Sequence, residues 1–320
     1  MVDDLAKKRI EKLLDKGIDH LEAGRYTEAL QVAAELEYAK NPFACYLAGQ
    51  SYAGLNDVKS AVDTMRRGVL KTPTLWTNWL FLGICLSRLN RHEEASAAYD
   101  QALLCPHVKT DEVRINMALL GLDRHDYEAA LTCLDGIEDA SMRWCAESTR
   151  ILALEGMGRI AEAGELAERF LEEHPERDDE YQKRVGFVVA ALARIRQQQG
   201  CSKDEVQSFL MHCLDEYGSS NPLLGEIRRL KGFCYSDESK RYQFIIVARL
   251  PAGHPWYREA RGYYVAYDVV SDSESRALEM INEFESVAGV ESVEVADVRI
   301  REDKPEGPMG IYWVTERVFG

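Results

Sequence analysis

The sequence predicts an α-helical solenoid of helix–turn–helix repeats, followed by a small α+β domain. Three observations carry this. The first half is self-similar at intervals of 32 to 35 residues. Helical periodicity outlasts that repeat to about residue 234. After residue 240 the period changes to two, the signature of strands.

Two registers define the repeat. Ala29, Ala61, Ala95, Ala130 and Ala163 follow one another at spacings of 32, 34, 35 and 33. Twelve residues upstream of each stand Gly17, Gly49, Gly83, Ala118 and Ile151. Small residues in both registers let the two helices of a unit cross closely, and larger ones a turn away fill the groove between them. In the second unit Cys45, Ala48, Gly49 and Tyr52 form one helical stripe. After a break at Leu55-Asn56-Asp57, Val58, Ala61, Val62, Met65 and Val69 form the other, which stops before Pro73. The third unit repeats the scheme with Trp79, Leu82, Gly83 and Leu86, a break at Asn90, then Ala95, Tyr99, Ala102 and Leu103 before Pro106. Proline closes these helices because it cannot continue one.

These units resemble the tetratricopeptide repeats. The resemblance rests on Trp79-Leu-Phe-Leu-Gly83 with Leu86, and on Glu93-Glu-Ala95 with Tyr99, Ala102 and Leu103. It rests also on Tyr26-Thr-Glu-Ala29-Leu, Tyr127-Glu-Ala-Ala130-Leu and Arg159-Ile-Ala-Glu-Ala163. Five units fit between about residues 10 and 175. The fifth departs from the pattern at Ile151, and the fourth lacks the closing proline. The resemblance implies a right-handed superhelix whose first helices line a concave groove for peptides or partner helices.

Two further helical patterns follow without the signature. Val185, Val188, Val189, Leu192 and Ile195 mark one up to Gly200; Val206, Phe209, Leu210, Cys213 and Leu214 mark the next. A short helix after Asn221-Pro222 completes a capping set, so residues 1–234 read as five repeats plus capping helices. Residues 241–320 read as the second domain. Tyr242, Phe244, Ile246, Ala248 and Leu250 alternate along a first strand; Ile245 and Val247 suggest that both its faces are partly buried. Tyr263, Val265, Tyr267 and Val269 mark a second strand. Ser271-Asp-Ser-Glu274 is a capping-box pattern opening a helix with Ala277, Leu278, Ile281 and Phe284, ended by Gly289. Strands at 290–300 and 310–319 give the order ββαββ, one antiparallel sheet under one helix.

Composition narrows the function. Against 39 Lys and Arg stand 54 Asp and Glu, a net charge of −15 that opposes binding to nucleic acid or an anionic membrane. Acidic charge is densest from Glu162 to Glu180, a solvated face or a docking patch for a basic partner. No apolar run is long enough to span a bilayer and no secretory signal is visible, so the expected location is the cytoplasm. The eight cysteines form no Cys-x-x-Cys pair and read as reduced, mostly buried hydrophobes. No cofactor, metal or catalytic motif is present, and the seven histidines stand apart. The expectation is a non-enzymatic protein.

Two regions are candidates for partner binding. Carried over from the resemblance, the groove positions are Leu14, Ile18 and Leu21; Phe43, Tyr46 and Gln50; Thr77, Leu80, Ile84 and Arg88. The fourth and fifth units add Glu112, Ile115, Leu119 and Asp123, then Ser148, Leu152 and Glu155. The set is strongly apolar and lacks the Lys, Arg and Asn clamp of family members that grip a C-terminal carboxylate. An apolar groove needs an occupant: a partner's amphipathic segment, the C-terminal domain, or a second copy in a homo-oligomer. The other region is the Pro251–Gly262 connection, with His254, Trp256, Tyr257, Arg258 and Arg261, residue types common at interface hot spots. The Gly- and Pro-rich segment from Arg301 to Gly310 reads as a turn. The sequence therefore predicts a scaffold that captures a protein or peptide, with acidic flanks favouring a basic one. Two alternatives stand beside it. One is an immunity-type inhibitor or secretion chaperone for a basic effector. The other is an enzyme with its site around His254, Trp256, Tyr257 and Arg261.

Overall fold

The structure is a computed structural model that describes residues 2–172, 179–234, 236–258, 260–305 and 307–319. It divides into two compact units, Met1–Met157 and Gly158–Gly320.

The first unit is a row of antiparallel helices: α1 (Val2–Glu22), α2 (Tyr26–Tyr38), α3 (Ala44–Gly54), α4 (Val58–Lys71), α5 (Trp76–Arg88), α6 (His92–Leu103), α7 (Thr110–Asp123), α8 (Tyr127–Leu134) and α9 (Arg143–Gly156). Helices α1, α3, α5 and α7 each pair with the even helix that follows, and consecutive odd helices also touch. The turn inside each pair needs one left-handed residue, found at Gly24, Asn56, Asn90 and His125, each five residues before the alanine register. Asp57 and Asp126 then cap the second helix, accepting from the backbone N–H groups of Ser60 and Ala129 at 3.1 and 3.2 Å. Gly83 shows why the crossing must be small: a Cβ there would lie 2.3 Å from Cε1 of Tyr99. Tyr99 is 1% exposed and has nowhere to retreat. The unit's buried side chains form successive clusters along the row, not one central core, as a repeat architecture requires.

The second unit holds α10 (Ile160–Glu172), α11 (Asp179–Gln198), α12 (Lys203–Tyr217) and α13 (Asn221–Lys231), then β1 (Lys240–Arg249), β2 (Gly262–Ser271), α14 (Glu274–Val287), β3 (Ser292–Arg301), β4 (Gly310–Val314) and β5 (Val318–Phe319). A capping box between Ser202 and Glu205 opens α12, and Ser220 with Pro222 opens α13. The sheet order is β3-β1-β2-β4, with β5 also paired to β2, all antiparallel. Helix α14 packs on β1, β2 and β4.

Three local expectations are corrected. The strand expected at 310–319 is two short ones, because at Thr315 the side-chain hydroxyl, not the backbone carbonyl, accepts from the Ala266 N–H. The cap of α14 is Ser273, which accepts from Arg276 N–H, because β2 runs on through the buried Ser271. The expectation of two partly buried faces holds only at Arg241 and Val247, which are half-buried: Tyr242, Phe244, Ile246 and Ala248 are inside, while Ile245 is 41% exposed.

The helices α12 and α13 are joined to the end of the sheet. Ser219 Oγ donates to the Val314 carbonyl at 2.7 Å. Arg228 donates to the Ile311 carbonyl and lies 3.9 Å from the Tyr312 ring centroid. Arg317 pairs with Asp215 at 2.9 Å. Compactness thus divides the chain at Met157/Gly158, whereas the boundary read from the sequence, between 234 and 241, marks the change from helices to strands.

Candidate partner-binding groove

The first helices α1, α3, α5, α7 and α9 carry the groove residues. One repeat position supplies Ile18, Gln50, Ile84, Leu119 and Leu152, at the same spacings of 32, 34, 35 and 33 as the alanines. None of the five is buried. They form a row of four apolar side chains and one amide, one from each first helix. Beside it lie Phe43 and Thr77, half-buried, and Arg88 and Asp123, exposed. Asp123 accepts a hydrogen bond from Ser87 Oγ at 3.2 Å, linking α7 to α5. Leu14, Leu21, Glu112 and Glu155 are half-buried.

A second repeat position contains Tyr46, Leu80, Ile115 and Ser148, and here the sequence reading is corrected. Leu80 is 8%, Ile115 4% and Ser148 2% exposed, so these three are core. The position points along the row into the next first helix. Leu80 shares a cluster with Val113 of α7, and Ile115 one with Cys145 of α9. Tyr46 is larger and stays half-buried. Its ring meets Phe81 of α5 edge-on, centroids 5.8 Å apart. Burial raises its hydroxyl above the ordinary tyrosine range, with the Glu112 charge adding to the rise, while a hydrogen bond with Gln50 opposes it. Glu112 lies on α7, so side chains of α3 and α7 converge over α5. Phe81 and Met117, both half-buried on this cluster, were missed by the sequence reading. For Phe81 the signal was available: 77, 81, 84 and 88 make a better helical stripe than one through 80.

The Pro251–Gly262 connection folds back on its own domain. A 3-10 turn covers Pro255–Arg258. His254 Nε2–H donates to the Ala288 carbonyl at 2.9 Å, and Nδ1 accepts from Trp256 N–H at 3.2 Å. Both ring nitrogens are thereby used. Trp256 packs against Tyr263 and Phe319 at centroid distances of 6.2 and 5.7 Å, and the Arg317 guanidinium lies 5.2 Å from its ring. Tyr257 is half-buried and Arg261 exposed. The side chain of Arg258 lies outside the described residues, as does most of the acidic stretch between Glu172 and Glu180. Near Trp256 a cavity of about 490 Å³ opens, lined also by Phe284, Phe319, Asp215 and Arg317. Asp215 and Arg317 are paired with each other, and Glu316 adds a further, exposed charge to the lining.

Cys85 and Cys213 are buried, which pushes their thiols up to about 11 and about 12. They behave as small hydrophobes. No group of three or more metal-ligating side chains gathers among the described residues. None of the described helices is long and apolar enough to cross a membrane.

Residues 77–104, α5 and α6 with their turn, match the family described as tetratricopeptide repeat. Solved structures extend the likeness. A tetratricopeptide repeat protein from Parabacteroides merdae aligns over 70% of this chain and 84% of its own, at 18% identity and a TM-score of 0.53. The helical array has the tetratricopeptide-repeat fold. PilW, a type IV pilus biogenesis factor, aligns over 68% of this chain and 98% of its own, at 17% identity and a TM-score of 0.55. The pilF protein of Pseudomonas aeruginosa aligns over 71% and 98%, at 14% identity and a TM-score of 0.53. No curated protein matches the sequence.

Proposed function

We propose that this protein is a non-catalytic scaffold that captures an extended or helical protein segment in the groove of its first helices. The observation that carries this is the row Ile18, Gln50, Ile84, Leu119 and Leu152, one accessible side chain per repeat and four of them apolar. Evenly spaced apolar side chains on a rigid array fit a segment with apolar residues at regular intervals. Tyr46 and Phe81 add an aromatic contact beside the row. Glu112, Asp123 and Glu155 flank it, against the single cation Arg88 among the groove positions. That balance favours a segment with basic residues between its apolar ones. The carboxylate-gripping clamp has no counterpart here, so the partner is held along its length and not by its end.

A fluorescence-polarisation panel tests this, using labelled peptides whose apolar residues alternate with Lys, with Glu or with Gln. The Lys series should bind best. A chain carrying Ile84→Asp and Leu119→Asp should lose about 10-fold or more in affinity, on the order of 1.4 kcal/mol, with its helical content intact. Equal binding of the Lys and Glu series would remove the basic preference. Unchanged binding by the substituted chain would remove the groove.

A further inference from the structure

We propose that the free edge of β3 pairs with β3 of a second copy of this chain. The pairing is antiparallel about a two-fold axis at Val298 and makes one continuous sheet across two molecules. The inference is independent of the groove.

Among the described residues β3 is the outer strand of the sheet, joined only to β1. It spans ten residues and has no proline and no lysine; a bulge at Ala296 shifts its register with β1, and the run from Asp297 to Arg301 is regular. Helix α14 packs chiefly on β1, β2 and β4. Of the helix-side residues of β3, Val293 and Val298 are half-buried, and the other two are apolar yet open. Val295 is 40% and Ile300 54% exposed, and Val287 at the end of α14 is 48% exposed. A hydrophobic strand with an unpaired edge and an uncovered flank needs a strand beside it.

The charge pattern selects the occupant. On the open face β3 presents Glu294 and Asp297 in its first part, then Arg299 and Arg301. Asp297 and Arg299 project to the same side, since they pair with Ile245 and Gln243, which alternate on one face of β1. A two-fold through Val298 places Asp297 of each chain directly opposite Arg299 of the other. It also brings the two Val298 side chains together on the helix side. Within one chain Arg299 folds back on Asp297, at 3.1 Å, with the two side chains 77% and 44% exposed. Such an exposed pair contributes little. Across the edge the same charges form two symmetric pairs beside a covered apolar flank. A strand of unrelated sequence would match this acid-then-base order only by chance, whereas a second copy running antiparallel matches it by symmetry. One strand junction falls at the small end of interface sizes, so the dimer is reversible, with a dissociation constant on the order of micromolar.

Sedimentation equilibrium of the full chain over a dilution series tests this. Dimerisation is expected, and Asp297→Arg or Arg299→Asp alone should weaken it at least about 10-fold by opposing like charges. The combined Asp297→Arg/Arg299→Asp chain restores the complementarity and should restore the dimer. Both side chains are exposed, so circular dichroism should show all variants folded alike. A monomer at every concentration up to about 1 mM would overturn the proposal. So would a dimer indifferent to both single substitutions, or a combined variant that stays as weak as the single ones.

Discussion

Two glycines, both in helices, respond in opposite ways to the same substitution. At Gly83 an added Cβ would meet the Tyr99 ring at 2.3 Å, and that ring is enclosed. At Gly225, within α13, the nearest atom would be the flexible end of Arg228, at 3.5 Å. Alanine favours a helix over glycine by up to about 1 kcal/mol, but forced overpacking of a core costs about 1–3 kcal/mol. Gly83→Ala should therefore destabilise the protein, and Gly225→Ala should stabilise it slightly. Urea unfolding of both variants checks the two signs. The sequence could show that position 83 is small because the register recurs at 17 and 49. It could not separate Leu80 and Ile115 from Ile84 and Leu119. All four are apolar on a first helix, and burial depends on how closely the next first helix approaches, which is a tertiary fact.

The sheet domain depends on one buried polar cluster joining β2 to α14. Glu285 is 0% exposed and accepts hydrogen bonds from both Tyr263 and Tyr267 hydroxyls. Burial first, and the Glu285 charge second, raise both tyrosines above their ordinary range. A hydroxyl whose pKa is higher folded than unfolded stabilises the fold fully below the unfolded value near ~10. That contribution is lost as pH rises through the folded value. Tyr267→Phe should remove one donor from a buried carboxylate and cost about 1–3 kcal/mol at neutral pH. The same substitution should also reduce the protein's loss of stability above pH ~10. Urea midpoints for both chains at pH 8 and above that range, followed by hydrogen exchange in β2 and α14, check both effects. Periodicity alone located β1, β2 and α14. It gave no sign of the tyrosine–glutamate cluster, since Tyr263 and Tyr267 read as ordinary inward strand residues and Glu285 as one more surface charge. It also merged β4 with β5, because a side chain substituting for a backbone acceptor at Thr315 leaves no trace in an apolar pattern.

At the scale of the whole chain, two divisions compete. Sequence pattern separates helices from strands near residue 236, which suggests a solenoid that folds without the sheet. Compactness instead places α10–α13 and the sheet in one unit. The chemistry of the junction supports the second division. Ending the chain at Ser236 removes the carbonyls that accept from Ser219 and Arg228, and the Arg317 partner of Asp215. It also uncovers Met211, Leu224 and Ile227, which face Met280, Phe284 and Ile311 across a space of only about 30 Å³. A terminal repeat needs a polar outer face, and these helices have instead an apolar one that the sheet domain covers. In the chain ending at Ser236, amides of α12 and α13 should exchange with solvent far faster than in the full chain. Those of α3 to α8, whose clusters lie wholly within the first unit, should exchange at unchanged rates, because repeat stability is passed mainly between neighbours. If α12 and α13 keep their protection, the helices are their own cap and the sheet is an appended module. If protection is lost as far as α11 and no further, the sheet is the structural cap of this array, and groove experiments require the full chain.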